Sequence, residues 1–197
     1  MPKIKIRLST IMLFASILVS ENKILSLSVL ICATIHELGH IVAALLLKIK
    51  IKRFEFSICG AKIIPTQSLC TYLKELILCF CGPLANFITF ALCLPAVNIT
   101  SNSDATSLDF FTYMALFSIL LGVINLLPIK SLDGGRILFC IMAPLIGDRA
   151  GNITVKICSI VTSIIIWMFS VYLLILSPGG IIFFAFSLCM LLKIFEN

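Results

Sequence analysis

The sequence predicts an all-α membrane protein, with about six transmembrane helices and a small membrane-associated β-hairpin. Three observations lead there. The chain of 197 residues is 60% hydrophobic and 12% charged, whereas a soluble domain is nearer half apolar and a quarter charged. Its apolar residues gather in runs long enough to cross a hydrocarbon layer of ~30 Å. Its fifteen Lys and Arg sit at the ends of those runs, which is how topology-setting charge is distributed. The net charge of +6 therefore reflects membrane topology and not a nucleic-acid surface. With the spans accounted for, residues 1–197 read as one integral membrane domain, with no room for a soluble domain of useful size.

Each element follows in order. Lys3, Lys5 and Arg7 lead into the apolar run Leu8–Ser20, which mimics a signal peptide. No small-x-small cleavage site follows, so it reads as an uncleaved first span whose ends extend into residues 4–7. The second span is Ile24–Leu47. Residues 48–64 change character: a basic step (Lys48, Lys50, Lys52, Arg53), an alternating stretch Phe54-Glu55-Phe56-Ser57-Ile58, a turn at Cys59-Gly60-Ala61, then Lys62-Ile63-Ile64 up to Pro65. Alternation around a turn predicts the hairpin. A free strand edge there could pair with an extended peptide, which makes Phe56, Ser57, Ile58 and Gly60 candidate substrate-binding positions; the alternative is a solvated basic connector.

The third span, Tyr72–Val97, holds Gly82-Pro83-Leu84-Ala85-Asn86. Gly and Pro there permit a bend and a close helix approach, and Asn86 needs a polar partner. The fourth span, Phe110–Leu127, breaks at Pro128 and continues through Leu132-Asp133-Gly134-Gly135-Arg136 to Ile146. The fifth and sixth spans are Ile153–Leu176 and Ile181–Ile194, with almost no polar residues along them. The nine cysteines form no C-x-x-C pair and lie mostly inside apolar runs, where they act as small apolar residues. Six spans put every Lys and Arg except Lys23 on one side or at its helix ends. By the positive-inside rule both termini are then cytosolic.

The chemistry centres on His36-Glu37-Leu38-Gly39-His40. These are the only two histidines in the chain. Four residues apart on a helix they share a face, so both imidazoles can reach one metal ion. A charged acid and two imidazoles within a span are a poor choice for packing alone. Catalytic zinc takes three protein ligands and one open position. With no third histidine, the third ligand must be Asp, Glu or Cys. Asp133 is the best candidate, just past a proline break and before two glycines; the alternatives are that it caps the following helix or pairs with Arg136. Glu37 suits a proton shuttle beside a metal-activated water, and the implied reaction is peptide-bond hydrolysis. Asn125 could hold substrate backbone or an oxyanion, or simply bond a neighbouring helix.

Together, His36-Glu37-Leu38-Gly39-His40 and the stretch from Asn125 through Pro128 to Asp133-Gly134-Gly135 resemble the site-2 protease family of intramembrane zinc metalloproteases. The resemblance covers about residues 24–140. It implies Zn2+ as cofactor, His36, His40 and Asp133 as ligands, Glu37 as catalytic acid/base and Asn125 as a substrate contact. It also implies that the hairpin at 54–64 aligns substrate. Gly82-Pro83-Leu84-Ala85-Asn86 is similar to the family's third-span signature. Within the family the chain looks most like the branch typified by stage IV sporulation protein FB, through Ile51-Lys52-Arg53, the Gly60 turn and Asn125-Leu126-Leu127-Pro128-Ile129. That branch removes the pro-sequence of a sporulation sigma factor and is held silent by membrane partner proteins. The rival substrates are anti-sigma factors or signal-peptide remnants, which PDZ-bearing members typically cut; a rival of another class is a non-catalytic scaffold or metal carrier. Two departures stand out. Members of that branch often carry a C-terminal CBS domain and none is expected in these residues, and Ser131 stands where the family commonly has proline; the expected absence of an inserted PDZ domain fits the branch.

Overall fold

The structure is a computed structural model, and it describes residues 3–6, 22–49, 51–57, 60–65, 71–100, 105–176, 184, 187, 188 and 191. In chain order the elements are strand β1 (Lys3–Ile6), helix α1 (Lys23–Leu46), strands β2 (Ile51–Ser57) and β3 (Gly60–Pro65), then helices α2 (Tyr72–Thr100), α3 (Ala105–Asn125), α4 (Asp133–Ile146) and α5 (Asp148–Leu176). Among the described residues, α1, α2, α3 and α5 are the four helices long and apolar enough to cross a membrane. The expected first span, residues 8–20, and most of the expected sixth lie outside the described residues. The chain divides into two compact units, residues 1–125 and 126–197.

In the first unit α1, α2 and α3 pack on one another. Much of what they bury is small or polar, including Ser26, Ser28, Cys32, Ala43, Ala44, Asn86 and Ser118, while Leu45, Leu46, Leu73 and Leu92 are exposed. Lipid is as apolar as leucine, so helices in a bilayer associate through close backbone approach and interhelical polar contacts. Both occur here. A Cβ added at Gly39 would lie 2.5 Å from the Cys81 carbonyl oxygen, so α1 and α2 touch at that level with no side chain between them. Cys32 Sγ lies 3.2 Å from Ser118 Oγ on α3, within a cluster of Cys32, Cys93, Met114 and Ala115.

The ends of α1 are set by local chemistry. Asn22 caps the N-terminus, its side-chain oxygen accepting from the Leu25 amide at 3.0 Å, which satisfies one of the first-turn donors. At the other end the Ile49 amide bonds Ala44 O at 2.9 Å and the Lys48 amide bonds Leu45 O at 3.1 Å. This pair of bonds is a Schellman motif. Its left-handed position is Lys48, with φ 53, and Ile49 folds back onto Ala43, Ala44 and Leu78.

Two residues later the chain enters a three-stranded sheet in the order β1-β2-β3. β2 and β3 are antiparallel, with Phe54 opposite Ile63, Phe56 opposite Ala61 and Ser57 opposite Gly60. β1 runs parallel to β2, with Lys3 opposite Arg53 and Ile6 opposite Phe56. This corrects two expectations. Residues 4–6 do not extend a first span; the alternation Lys3-Ile4-Lys5-Ile6 has the period of a strand and is used as one. And β2 offers no free edge, because it is paired on both sides; among the described strands the open edges are the outer ones of β1 and β3.

In the second unit α4 and α5 pack together. The face that α5 buries is Gly151, Val155, Ser159, Ser163 and Ser170, small residues mostly one helical turn apart. The fifth span is thus less uniformly apolar than expected. A Cβ at Gly151 would meet the Ala143 backbone of α4 at 3.2 Å. Ser170 Oγ lies 2.7 Å from Ser187 Oγ.

Candidate metal centre

His36 and His40 lie on the buried face of α1, at 4% and 5% exposure. The helical spacing brings the rings edge to face, with centroids 4.8 Å apart and the two Nε2 atoms 3.2 Å apart. Two nitrogens are therefore aimed at one point. α2 supplies the surroundings of both rings through three residues spaced four apart: Leu78, Gly82 and Asn86. His40 Nδ1 lies 2.8 Å from Leu78 O. A carbonyl only accepts, so Nδ1 carries the proton and Nε2 keeps its lone pair. His36 Nδ1 lies 3.1 Å from Asn86 Nδ2, and Asn86 is fully buried.

Gly82 makes the space for the pair. A Cβ there would collide with His40 Nε2, stand 2.5 Å from His40 Cε1 and reach within 3.0 Å of His36 Cε1. Any larger residue would occupy the volume that the converging nitrogens face. Pro83 follows directly and removes one amide from the ladder in this turn of α2. The donor set, two buried imidazoles with converging Nε2 atoms and outer nitrogens held by α2, fits a borderline cation such as zinc.

Glu37 is half-buried and stands one residue beyond His36, about 100° further around the helix. Asn125 is the last residue of α3 and is buried. Its Nδ2 donates to Leu121 O of its own helix at 2.9 Å. Phe56, Ser57 and Gly60 lie in the sheet; Ile58 lies outside the described residues.

Asp133 begins α4 in the second unit, half-buried. The N-cap is Leu132, with no side-chain cap bond, so Asp133 is not the capping residue. Its place in the first helical turn sets the carboxylate at the positive end of the helix dipole. The turn before it is fixed by the Ile129 amide to Leu127 O at 2.7 Å, the Leu132 amide to Ile129 O at 2.8 Å and the Lys130 amide to Ser159 Oγ at 2.8 Å. Ile129 is fully buried. Both glycines after Asp133 are held tight against this turn. A Cβ at Gly134 would collide with Leu126 O and Leu127 O, and one at Gly135 with Ile129 O. Proline at position 131 is thus not the only means of stiffening the turn; Ser159 and the glycine contacts do it here.

Sequence reasoning singled out His36, Glu37, His40 and Asp133 but did not point to Leu78 O or to Gly82 as neighbours of the two rings. The signal was available in part: Leu78, Gly82 and Asn86 share one face of α2 by their spacing, and a glycine between a leucine and an asparagine on that face marks a place that something approaches.

Residues 93–169 match Peptidase family M50; that stretch contains Asn125 and Asp133. Over 44 residues the chain is 50% identical to proteins of Staphylococcus aureus strains COL and MW2, each named "Putative zinc metalloprotease". The match covers 22% of this chain and only 10% of those relatives. The fold is that of the Site-2 Protease from Methanocaldococcus jannaschii, with a TM-score of 0.72 at 21% identity, over 98% of this chain and 89% of that one.

Proposed function

We propose that this chain is an intramembrane zinc metalloendopeptidase. The observation that carries the reading is the converging Nε2 pair of His36 and His40, buried in a span beside Glu37. His36, His40 and Asp133, two buried and one half-buried, would hold the metal. Bound there, zinc would polarise the scissile carbonyl and lower the pKa of a coordinated water toward ~7. Glu37 takes a proton from the attacking water and delivers it to the leaving amine nitrogen as the C–N bond breaks. The "Putative zinc metalloprotease" relatives and the M50 match support the same reading.

The substrate must present an extended segment, because a helical backbone hides its carbonyls in hydrogen bonds. The outer edge of β3 is the strand-addition site we assign to it. For the physiological substrate we propose the pro-sequence of a sporulation sigma factor, on the resemblance of residues 51–60 and 125–135 to the sporulation branch; anti-sigma factors and signal-peptide remnants are the alternative. Membrane partner proteins would restrain the activity, and both termini would be cytosolic, on the distribution of Lys and Arg.

The test is co-expression with a pro-sigma factor carrying its pro-sequence, comparing wild type with Glu37→Gln. Cleavage by wild type alone supports protease and substrate together. Cleavage by neither, in chains that hold zinc, removes that substrate and turns the search to anti-sigma factors. Equal cleavage by both removes Glu37 from the chemistry and ends the proposal.

A further inference from the structure

The carboxamide of Asn86 carries an unusual burden. The residue is fully buried, and its Oδ1 has no hydrogen-bond partner. A buried acceptor left without a donor is destabilising. Its Nδ2 faces His36 Nδ1 at 3.1 Å. With Nδ2 donating, His36 Nδ1 accepts, and the ring proton sits on Nε2. That proton then points at His40 Nε2, 3.2 Å away, whose lone pair is fixed by the bond from Nδ1 to Leu78 O. In this arrangement His36 offers no lone pair to a metal.

The other orientation of the same amide reverses every step. A half-turn about the terminal torsion of Asn86 exchanges Oδ1 and Nδ2, which are nearly isosteric. Oδ1 then accepts from His36 Nδ1–H, and its unmet bond is made. His36 Nε2 loses its proton and presents a lone pair. Both Nε2 lone pairs then converge, an arrangement that repels unless a cation lies between them. A ring nitrogen is made a ligand by the bond its other nitrogen donates.

We infer that Asn86 is a positioning residue whose carboxamide oxygen accepts from His36 Nδ1–H and so sets the tautomer in which His36 Nε2 can hold a metal. The inference rests on the metal reading above. It assigns the outer partners of the two histidines to different chemistries: a fixed backbone acceptor at Leu78 for His40, and a side-chain amide at Asn86 for His36. Asn86 touches neither substrate nor metal in this scheme and acts through the imidazole.

The experiment exploits the presence of only two histidines. The full chain, purified in detergent and labelled with 15N-histidine, gives four ring nitrogens. Zinc affinity is measured by chelator competition, which reads no proteolysis. In zinc-loaded wild type both Nδ1 atoms should be protonated. Asn86→Leu, close in shape and without polar atoms, should weaken zinc binding about 10–100-fold and move one Nδ1–H signal, while the other, held by Leu78 O, stays. Asn86→Asp, which can only accept when ionised, should bind zinc at least as tightly as wild type. Equal zinc affinity in wild type and Asn86→Leu overturns this inference alone. A wild-type chain that takes up no zinc overturns the metal reading and this inference with it. If Asn86→Leu does not fold, Asn86→Asp decides: tenfold weaker zinc binding overturns the tautomer role, and undiminished binding upholds it.

Discussion

Replacing Gly82 by alanine tests the centre with a single methyl group. The added Cβ would stand 2.5 Å from His40 Cε1 and 3.0 Å from His36 Cε1. The contact with His40 Nε2 is tighter still and ordinary contact begins near 3.4 Å, so α2 must withdraw from α1 by about 1 Å, or the imidazoles must turn. Neither is easy. Gly39 and Cys81 O meet nearby with no side chain between them to absorb a shift, and each imidazole is held at Nδ1 from α2. Overpacking of this kind costs about 1–3 kcal/mol of stability. A displacement near 1 Å at a reacting centre costs on the order of 100-fold in rate. The assay is zinc affinity by chelator competition and thermal unfolding of the zinc-free chain, followed by cleavage rate on whichever substrate is established. Gly122→Ala is the control: the first atoms its Cβ would meet are those of the Phe87 ring, at 3.0 Å, which can turn aside. Gly82→Ala binding zinc as tightly as wild type and unfolding at the same temperature would refute the claim that this glycine makes room for the pair.

Other outcomes follow from the same geometry. Gly135→Ala should destabilise the turn that presents Asp133 by about 1–3 kcal/mol and weaken zinc binding, both read by the same two measurements; an unperturbed affinity would mean that Asp133 is positioned by something else. Ser159→Ala should cost about 1–3 kcal/mol in denaturant or thermal unfolding, since the Lys130 amide loses its acceptor. Lys48→Gly should raise stability by about 1 kcal/mol, because the left-handed position of the Schellman motif penalises a side chain; a lowered unfolding temperature would count against it. Removing the metal with a chelator should abolish cleavage by wild type, and added zinc should restore it, whereas Glu37→Gln should take up zinc and stay inactive.

The parts of this architecture that the sequence reveals are those governed by local pattern. Apolar runs gave α1, α2, α3 and α5 to within a few residues at most ends, and the i, i+4 spacing of His36 and His40 gave the shared face. The alternation at 54–64 pointed to paired strands because side-chain direction in a strand depends only on parity. What stayed hidden depends on partners distant in sequence. Lys3–Ile6 pairs with Arg53–Phe56 across some fifty residues, and four alternating residues beside an apolar run carry too little signal to prefer a strand over the start of a helix. Asn125 bonds its own helix, a choice that no spacing distinguishes from a bond to substrate. Leu78 contributes a backbone carbonyl to His40, and every residue has one, so no residue type could mark it.

The Schellman turn at Lys48 has a geometric corollary. His40 lies six residues from the end of α1 at Leu46, about 9 Å along the axis at 1.5 Å per residue. β2 begins at Ile51, two residues after the Ile49 that closes the turn, so a helical spacer and a closed turn lie between the histidines and the sheet. A polypeptide paired with the sheet would therefore be held at a set distance from the histidines, and lengthening α1 by one turn, about 5.4 Å, would change that distance.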